Sequence, residues 1–555
     1  LYKFYIMRKT FTLFLLSLLV FSSMGYAQSN AQAFEISKNL DIYATIFKEL
    51  NNNYVDEIKP GDLNKTAIDA MLNSLDPYTV FIPESQIEEV KYLTTGEYGG
   101  IGLSVLKRDD KVIIGSIEEN SPALEAGLLA GDHIISIDGQ DLSKKTDDEI
   151  GLLMQGQVGT PNTLIISRLG INEPFEKKVT RRNLNVVNIP YYGMLDSNVA
   201  YISLLSFTKD AALKTSRAFM ELKQKNPKGL IFDLRGNGGG LIGEAVDILN
   251  LFLEKDVEVV QTKSRLRDKN YKYITRKEPV DKEIPIVILV DRNSASAAEI
   301  VSGAAQDLDR AVIIGERTYG KGLVQNVIPL SFNSQLKITI AKYYIPSGRC
   351  IQAIDYSHKD AEGNALPVND SLLASYKTKS GRIVFDGRGI KPDILMSPND
   401  FNDFVSSMIE KFYIFDFATQ YRLRHDSLIA AERFEVSNDL WASFESFLKN
   451  KDLNYQSHVE KKLSDLQKEL DKTDDYKHLS PLFNQALADM QKSKEGTLMK
   501  NRPELERIIK TDLVSRYYFG RGVIIANLHQ DKAIAKAREL INDPQKYYNL
   551  LKPVN

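Results

Sequence analysis

Two stretches constrain this chain more than any other: GLIFDLR at 229–235 and IPIVILV at 284–290. Neither alternates polar with apolar, so each would be apolar on both faces of an extended strand. A strand of that kind is buried on both sides, which calls for a largely parallel sheet covered by other elements on each face. Helical stretches separate further apolar strands between 190 and 395, and an α/β core is predicted there. The pattern differs on either side. From about 96 to 182 it is short strands and glycine turns (YGGIGLSVL, KVIIGSI, DHIISIDG, TLIISRL), which predicts a β-rich domain. Residues 36–93 read as helices: Leu40, Tyr43, Ile46, Phe47 and Leu50 fall at helical spacing, as do Ile68, Met71, Leu72 and Leu75. Asp76-Pro77 is the expected stop. After about residue 400 the chain reads as helical and highly charged, as in HVEKKLSDLQKELDK at 458–472, which is most simply a solvated helix surface.

Composition excludes several classes of function. At 555 residues the chain is too long for one core. A net charge of -2 gives no pull toward nucleic acid or an anionic membrane. One cysteine, Cys350, allows no intrachain disulfide and no multi-cysteine zinc site, and it is expected to be a packed thiol rather than a nucleophile. No metal or other cofactor is expected. Met7-Arg8-Lys9, the apolar run Phe11 to Phe21, and small residues at Gly25 and Ala27 make signal-peptide architecture, with cleavage expected after Ala27. Residues 1–6 are expected to reflect an upstream start choice. No cysteine follows the run, so a lipoprotein signal is not expected. An uncleaved N-terminal anchor is the alternative, although the run is short for a membrane span of about 20 residues. The protein is therefore expected in the periplasm, where nucleotide cofactors are scarce.

Two glycine motifs imitate nucleotide sites. Gly238-Gly239-Gly240-Leu241-Ile242-Gly243 satisfies GxGxxG between a strand and a helix, and Gly315 to Lys321 fills seven positions of a phosphate loop. The eighth position is Gly322 rather than Ser or Thr, and LVQNVIPL (323–330) reads as a strand where a phosphate loop needs a helix. The compartment argues against both.

A third glycine loop, Tyr98-Gly99-Gly100-Ile101-Gly102-Leu103, can turn successive N–H groups toward one anion. It is followed by Ser121-Pro122-Ala123, Ala126-Gly127 and GDHIISIDG at 131–139. In that order these segments resemble a circularly permuted PDZ domain of the bacterial protease type. The resemblance implies that Gly100, Ile101, Gly102 and Leu103 hold the terminal carboxylate of a peptide added as a strand.

Chemistry is expected after the strand IPIVILV. There Asn293-Ser294-Ala295-Ser296-Ala297-Ala298-Glu299 places small residues at a strand-to-helix turn, where a hydroxyl can be exposed and helix N–H groups can meet an oxyanion. Either serine could equally be a helix cap. No histidine lies between 134 and 357, which leaves lysine as the base; Lys321 follows Ser296 by 25 residues in a glycine-flanked turn. A lysine base needs its pKa brought from about 10.4 to about 7–8, roughly 4 kcal/mol of disfavoured charge, and so needs burial. Spacing alone leaves a surface turn lysine as the simpler alternative.

In sequence, DLRGNGGG, NSASAAE and GERTYGKGLVQ after a PDZ-like domain resemble the C-terminal processing peptidases, the tail-specific proteases of the S41 serine peptidase group. LNSLDPYTVF (72–81) and KTKSGRIVFDGRGIKPDI (377–394) fit the same family, and the likeness spans about 36–395. It implies Ser296 as nucleophile, with Ser294 its competitor within the motif, and Lys321 as base. It also implies Gln325 as the residue positioning the lysine amine, on the expectation that a strand puts both on one face. The N–H of Ala297 and one from Gly239 or Gly240 are implied as the oxyanion hole, with Gly238 to Gly240 competing. The implied fold is multidomain α/β: signal peptide 1–27, helical region 28–93, PDZ domain 94–182, crotonase-like ββα protease core 183–397 and helical region 398–555. The implied function is extracytoplasmic cleavage of proteins with accessible C-termini through an acyl-enzyme; an inactive PDZ scaffold that binds C-termini is the alternative. The helical C-terminal region is expected to pack on the core or mediate assembly, with an adaptor protein or a second copy as further partners.

Overall fold

The computed structural model describes residues 32–87, 95–369, 371, 373–397, 401–472, 478–492, 494 and 496–553. The expected signal segment lies outside these residues. The chain divides into two compact units at Phe81/Ile82.

In the first unit, residues 32–53 are helical and a second helix runs Pro60–Asn73. The Tyr43 hydroxyl donates to Asn64 Oδ1 at 3.0 Å across the pair. The second helix ends ahead of Asp76, whose Oδ1 takes the N–H groups of Tyr78 and Thr79, each at 2.8 Å. That turn is the physical form of the expected stop. The helical expectation for 36–93 is too broad, because Val80–Ile82 is a strand and Glu84–Gln86 a single 3₁₀ turn.

The second unit begins with the β-rich domain. Strand β1 (Glu97–Gly100) pairs with β7 (Arg182–Asn185). A separate sheet has the order β2 (Leu103–Arg108), β3 (Lys111–Ile117), β4 (His133–Ile137), β5 (Pro161–Ser167), β6 (Phe175–Thr180). Helix α1 (Asp147–Met154) starts in a capping box, Thr146 with Glu149. Ile101, Ile114, Leu128, Ile134, Ile150 and Leu164 form the core. Strand β2 is at the sheet edge, so its outer side is open to an added strand.

The central sheet of the protease core runs β8 (Tyr191–Met194), β9 (Val199–Ser203), β10 (Gly229–Asp233), β12 (Ile286–Val290), β13 (Val312–Gly315), β16 (Ile394–Leu395). Only β8 is antiparallel to its neighbour. Every residue of β9, β10, β12 and β13 is buried, as continuous apolar runs require. Side chains alternate between the two faces. Ala200, Ile202, Phe232 and Ile288 pack against helices α2 (Ala211–Lys223), α3 (Ile242–Leu249) and α4 (Ala297–Asp307). Val199, Tyr201, Ile231, Val287, Leu289, Val312 and Ile314 point the other way and are covered by the chain's last two described helices. A second sheet holds β11 (Glu258–Lys263), β14 (Leu323–Pro329) and β15 (Gln335–Tyr344).

Beyond residue 400 the chain does two different things. Residues 404–526 build a helical body with its own core, including Phe404, Trp441, Phe444, Leu505 and Leu513. The chain then returns: helices α5 (Lys532–Ile541) and α6 (Pro544–Leu550) lay Ile534, Leu540, Ile541 and Tyr547 on the open face of the central sheet. Burial pushes the Tyr547 hydroxyl up to about 12. That hydroxyl donates to Ile286 O at 3.0 Å and accepts from Ile286 N–H at 2.9 Å. Residues 528–551 are thus a layer of the protease core rather than an appendage. Leu540→Ala, at a fully buried site on this face, should cost about 2–5 kcal/mol in chemical denaturation.

Candidate active site

Three loops leave neighbouring parallel strands at their carboxyl ends, the edge where open α/β sheets place ligands. Gly239, Ser296 and Lys321 each lie six residues past the last residue of β10, β12 and β13. Sequence-distant segments therefore meet.

The two serines of the turn differ in their hydrogen bonding. Ser294 is fully buried; its hydroxyl donates to Leu234 O at 2.8 Å and accepts from Asp291 N–H at 3.0 Å. It holds the loop together. Ser296 is half-buried and directly precedes helix α4, with φ 56° and ψ -115°. A left-handed φ of this kind on a residue with a Cβ costs on the order of 1–3 kcal/mol and persists only where surrounding bonds enforce it.

Those bonds come from a residue that the motif contained but residue-by-residue reasoning passed over. Glu299 is fully buried in the first turn of α4. Its Oε2 accepts the N–H of Ser296 at 2.9 Å and of Lys321 at 2.8 Å. Its Oε1 accepts the N–H of Gly320 at 2.7 Å and the Thr318 hydroxyl at 2.6 Å. Burial pushes this carboxyl above the ordinary range, against the four hydrogen bonds that favour its charged form. One carboxylate thereby ties the serine turn to the lysine turn. Glycines let the lysine turn pack: a Cβ on Gly320 would sit 2.4 Å from Ala353 Cβ. Gly322 donates to Gln352 Oε1 at 2.7 Å.

The glycine loop is anchored by Asn237, also buried and also passed over. Its Nδ2 donates to Leu204 O at 2.8 Å, its Oδ1 accepts from Gly239 N–H at 2.8 Å and its carbonyl from Ala295 N–H at 2.9 Å. The Gly239 amide is therefore occupied. Among the described residues the N–H groups of Gly240 and Ala297 meet no acceptor. Gly239 has φ +101°, and a Cβ there would lie 2.7 Å from both Ala295 O and Ser296 Cβ. The dinucleotide look-alike thus needs glycine for close approach to the serine turn.

Gln325 lies in β14, which begins at Leu323, so strand alternation does not reach back to Lys321. The Gln325 side-chain amide donates to Thr339 Oγ1 at 3.2 Å. Burial pushes the Cys350 thiol up, which leaves it a poor nucleophile. In the β-rich domain the N–H groups of Ile101 and Gly102 find no acceptor among the described residues, while their carbonyls take Ala123 and Glu118 N–H at 2.9 and 3.0 Å. Gly100 ends β1 and Leu103 opens β2, so Ile101 and Gly102 hold two free amides in a loop beside an edge strand. Among the described residues no group of His, Cys, Asp and Glu could hold a metal ion.

Gly239→Ala should lower turnover by about 100-fold or more, as measured by steady-state peptide hydrolysis, because the strained turn must shift. Cys350→Ala should leave the same rate unchanged.

Comparison with known proteins gives the arrangement its context. The peptidase family S41 model matches residues 198–358, a PDZ domain model residues 99–180, and the model described as "Probable PDZ-protease, C-terminal helical domain" residues 404–541. The carboxy-terminal-processing protease of Bartonella bacilliformis is 35% identical over 345 residues, covering 61% of this chain and 78% of that protein. CtpB of Bacillus subtilis is 31% identical over 320 residues, covering 57% of this chain and 66% of that protein. A solved photosystem II D1 C-terminal processing protease is 23% identical, covers 64% of this chain and 94% of its own, and has a TM-score of 0.36. This chain belongs to the carboxy-terminal processing proteases of peptidase family S41, with a PDZ domain ahead of its protease core.

Proposed function

We propose that the chain is an extracytoplasmic serine endopeptidase that captures protein C-termini on its PDZ domain and cleaves with Ser296 and Lys321. The observation that carries this reading is the Glu299 carboxylate, which bonds the backbone of both residues and so brings the two turns to one place. As Ser296 Oγ adds to the peptide carbonyl carbon, the Lys321 amine takes its proton. The N–H groups of Ala297 and Gly240 receive the oxyanion, Gly239 being engaged by Asn237. The C–N bond then breaks and the lysine ammonium returns the proton to the leaving amine. Water, deprotonated by the same amine, hydrolyses the ester. Gln325 positions that amine through the strand adjoining its turn. The substrate's terminal carboxylate sits on the amides of Gly100, Ile101, Gly102 and Leu103, and its backbone extends the open edge of β2.

The extracytoplasmic part rests on the charged and apolar segment at 7–27. Among the described residues no helix is long and apolar enough to cross a membrane.

Ser296→Ala and Lys321→Ala should each lower turnover of an unstructured substrate with an apolar C-terminus by about 10⁴-fold or more. Both should bind its C-terminal peptide like the parent, as read by fluorescence anisotropy. Turnover surviving in both variants would overturn the mechanism, and peptide binding without turnover in the parent would make the protein a scaffold.

A further inference from the structure

The proposed reaction requires the Ser296 hydroxyl and the Lys321 amine to meet, although their turns follow different strands. Glu299 ties these turns from the amide side. A second side chain ties them from the carbonyl side. Tyr343, on β15, is 1% exposed. Its hydroxyl donates to Lys321 O and lies 3.2 Å from Ser296 O. A phenol has one proton, which these two carbonyl oxygens share, and Ser296 O also accepts the N–H groups of Glu299 and Ile300 at 2.8 and 2.9 Å. The backbone N–H of Tyr343 also donates to Gly322 O at 3.0 Å, so the residue grips the lysine turn twice. Ser296 and Lys321 are thus each held at both their own N–H and their own C=O. A residue fixed at both groups has its Cα–Cβ direction set, and the separation of the two side chains follows from it.

The strand adds a second layer. Tyr343 is in register with Thr262 of β11, while Leu323 and Val324 of β14 pair with Lys342 and Ala341. The phenol therefore transmits the position of the second sheet to the edge of the first.

We infer that Tyr343 is a positioning residue for the Ser296–Lys321 pair, setting the distance between hydroxyl and amine by bridging the carbonyl oxygens of the two residues. This rests on the serine–lysine reading above. Tyr343 acts through those two residues and takes no part in proton transfer itself.

Tyr343→Phe in the full chain tests this, since it keeps the buried ring and removes the hydroxyl that makes the bridge. Rates are taken per active site, counted with a fluorophosphonate titrant. The kcat should fall about 10- to 100-fold with KM within about twofold. The rising limb of kcat against pH should be displaced, and C-terminal peptide affinity unchanged. A merely structural tyrosine would lower the melting temperature and the titratable fraction but leave kcat per site and the pH profile alone. That outcome, beside an inactive Lys321→Ala, overturns the inference and leaves the serine–lysine pair standing. Undiminished turnover in Lys321→Ala overturns the pair, and the inference with it. Should Tyr343→Phe not fold, 3-fluorotyrosine at 343 keeps size and makes the phenol more acidic: a displaced pH limb supports the bridge and an unmoved one overturns it.

Discussion

The catalytic half of the molecule depends on a sheet kept dry on both faces. Strands 199–203, 229–233, 286–290 and 312–315 are buried along their whole length, so each face needs a cover of its own. One cover, α2 to α4, is supplied by the connections between parallel strands, as right-handed crossovers supply it in this class of fold. The other comes from the end of the chain, with α5 and α6. Once both covers are in place, the carboxyl edge is the side of the sheet where loops remain free to vary, and the turns of Gly239, Ser296 and Lys321 lie there.

At that edge the fold trades backbone comfort for geometry. Ser296 is held at φ 56°, a conformation its Cβ disfavours. A buried carboxylate with four donors can enforce such a turn because charge-assisted hydrogen bonds are about twice as strong as neutral ones, and stronger still away from water. The same carboxylate would be costly if any donor were lost, since an under-satisfied buried charge is among the more expensive defects a protein can carry. Strain at Ser296 and burial of Glu299 are therefore one arrangement: each is tolerable only because the other is present.

What could be read beforehand follows from how local each signal is. The buried strands were legible because a continuous apolar run has few other uses. The PDZ domain was legible because glycines, a proline-started turn and a hairpin fall in a fixed order. The choice between Ser294 and Ser296 was not legible from composition, because both are small hydroxyls in one turn. What distinguishes them in the structure is a partner 60 residues away, at Leu234, which no spacing rule reaches. Glu299 carried the opposite signal, since a glutamate in the first turn of a helix usually faces solvent and favours the helix dipole. Its burial depends on donors at 318–321. Gln325 failed the alternation argument for a simpler reason, as the strand starts two residues after Lys321.

The C-terminal region shows the same limit and carries it further. KAIAKARELI at 532–541 reads like any amphipathic helix, and nothing local says which surface its apolar stripe will cover. The structure gives it two anchors besides the apolar face. Arg538 pairs with Asp196 at 2.7 Å, next to the start of β9. Asp531 caps α5 through Oδ1, accepting the N–H groups of Ala533 and Ile534, while its Oδ2 takes Arg235 at 2.7 Å. Arg235 also holds Asp233 at 2.9 Å, the last residue of the strand that leads into the glycine loop. A chain of three charges thus runs from the helix cap to the residue before the loop that faces Ser296. The ion pair between Arg235 and Asp531 is partly screened by solvent, so its own contribution to stability is modest. Its directional contribution is not, because one guanidinium donates in fixed directions to both carboxylates. The last segment of the chain therefore does more than close the core. It holds one end of the loop whose glycine must fit against Ser296, so the C-terminal region shares in the geometry of that edge.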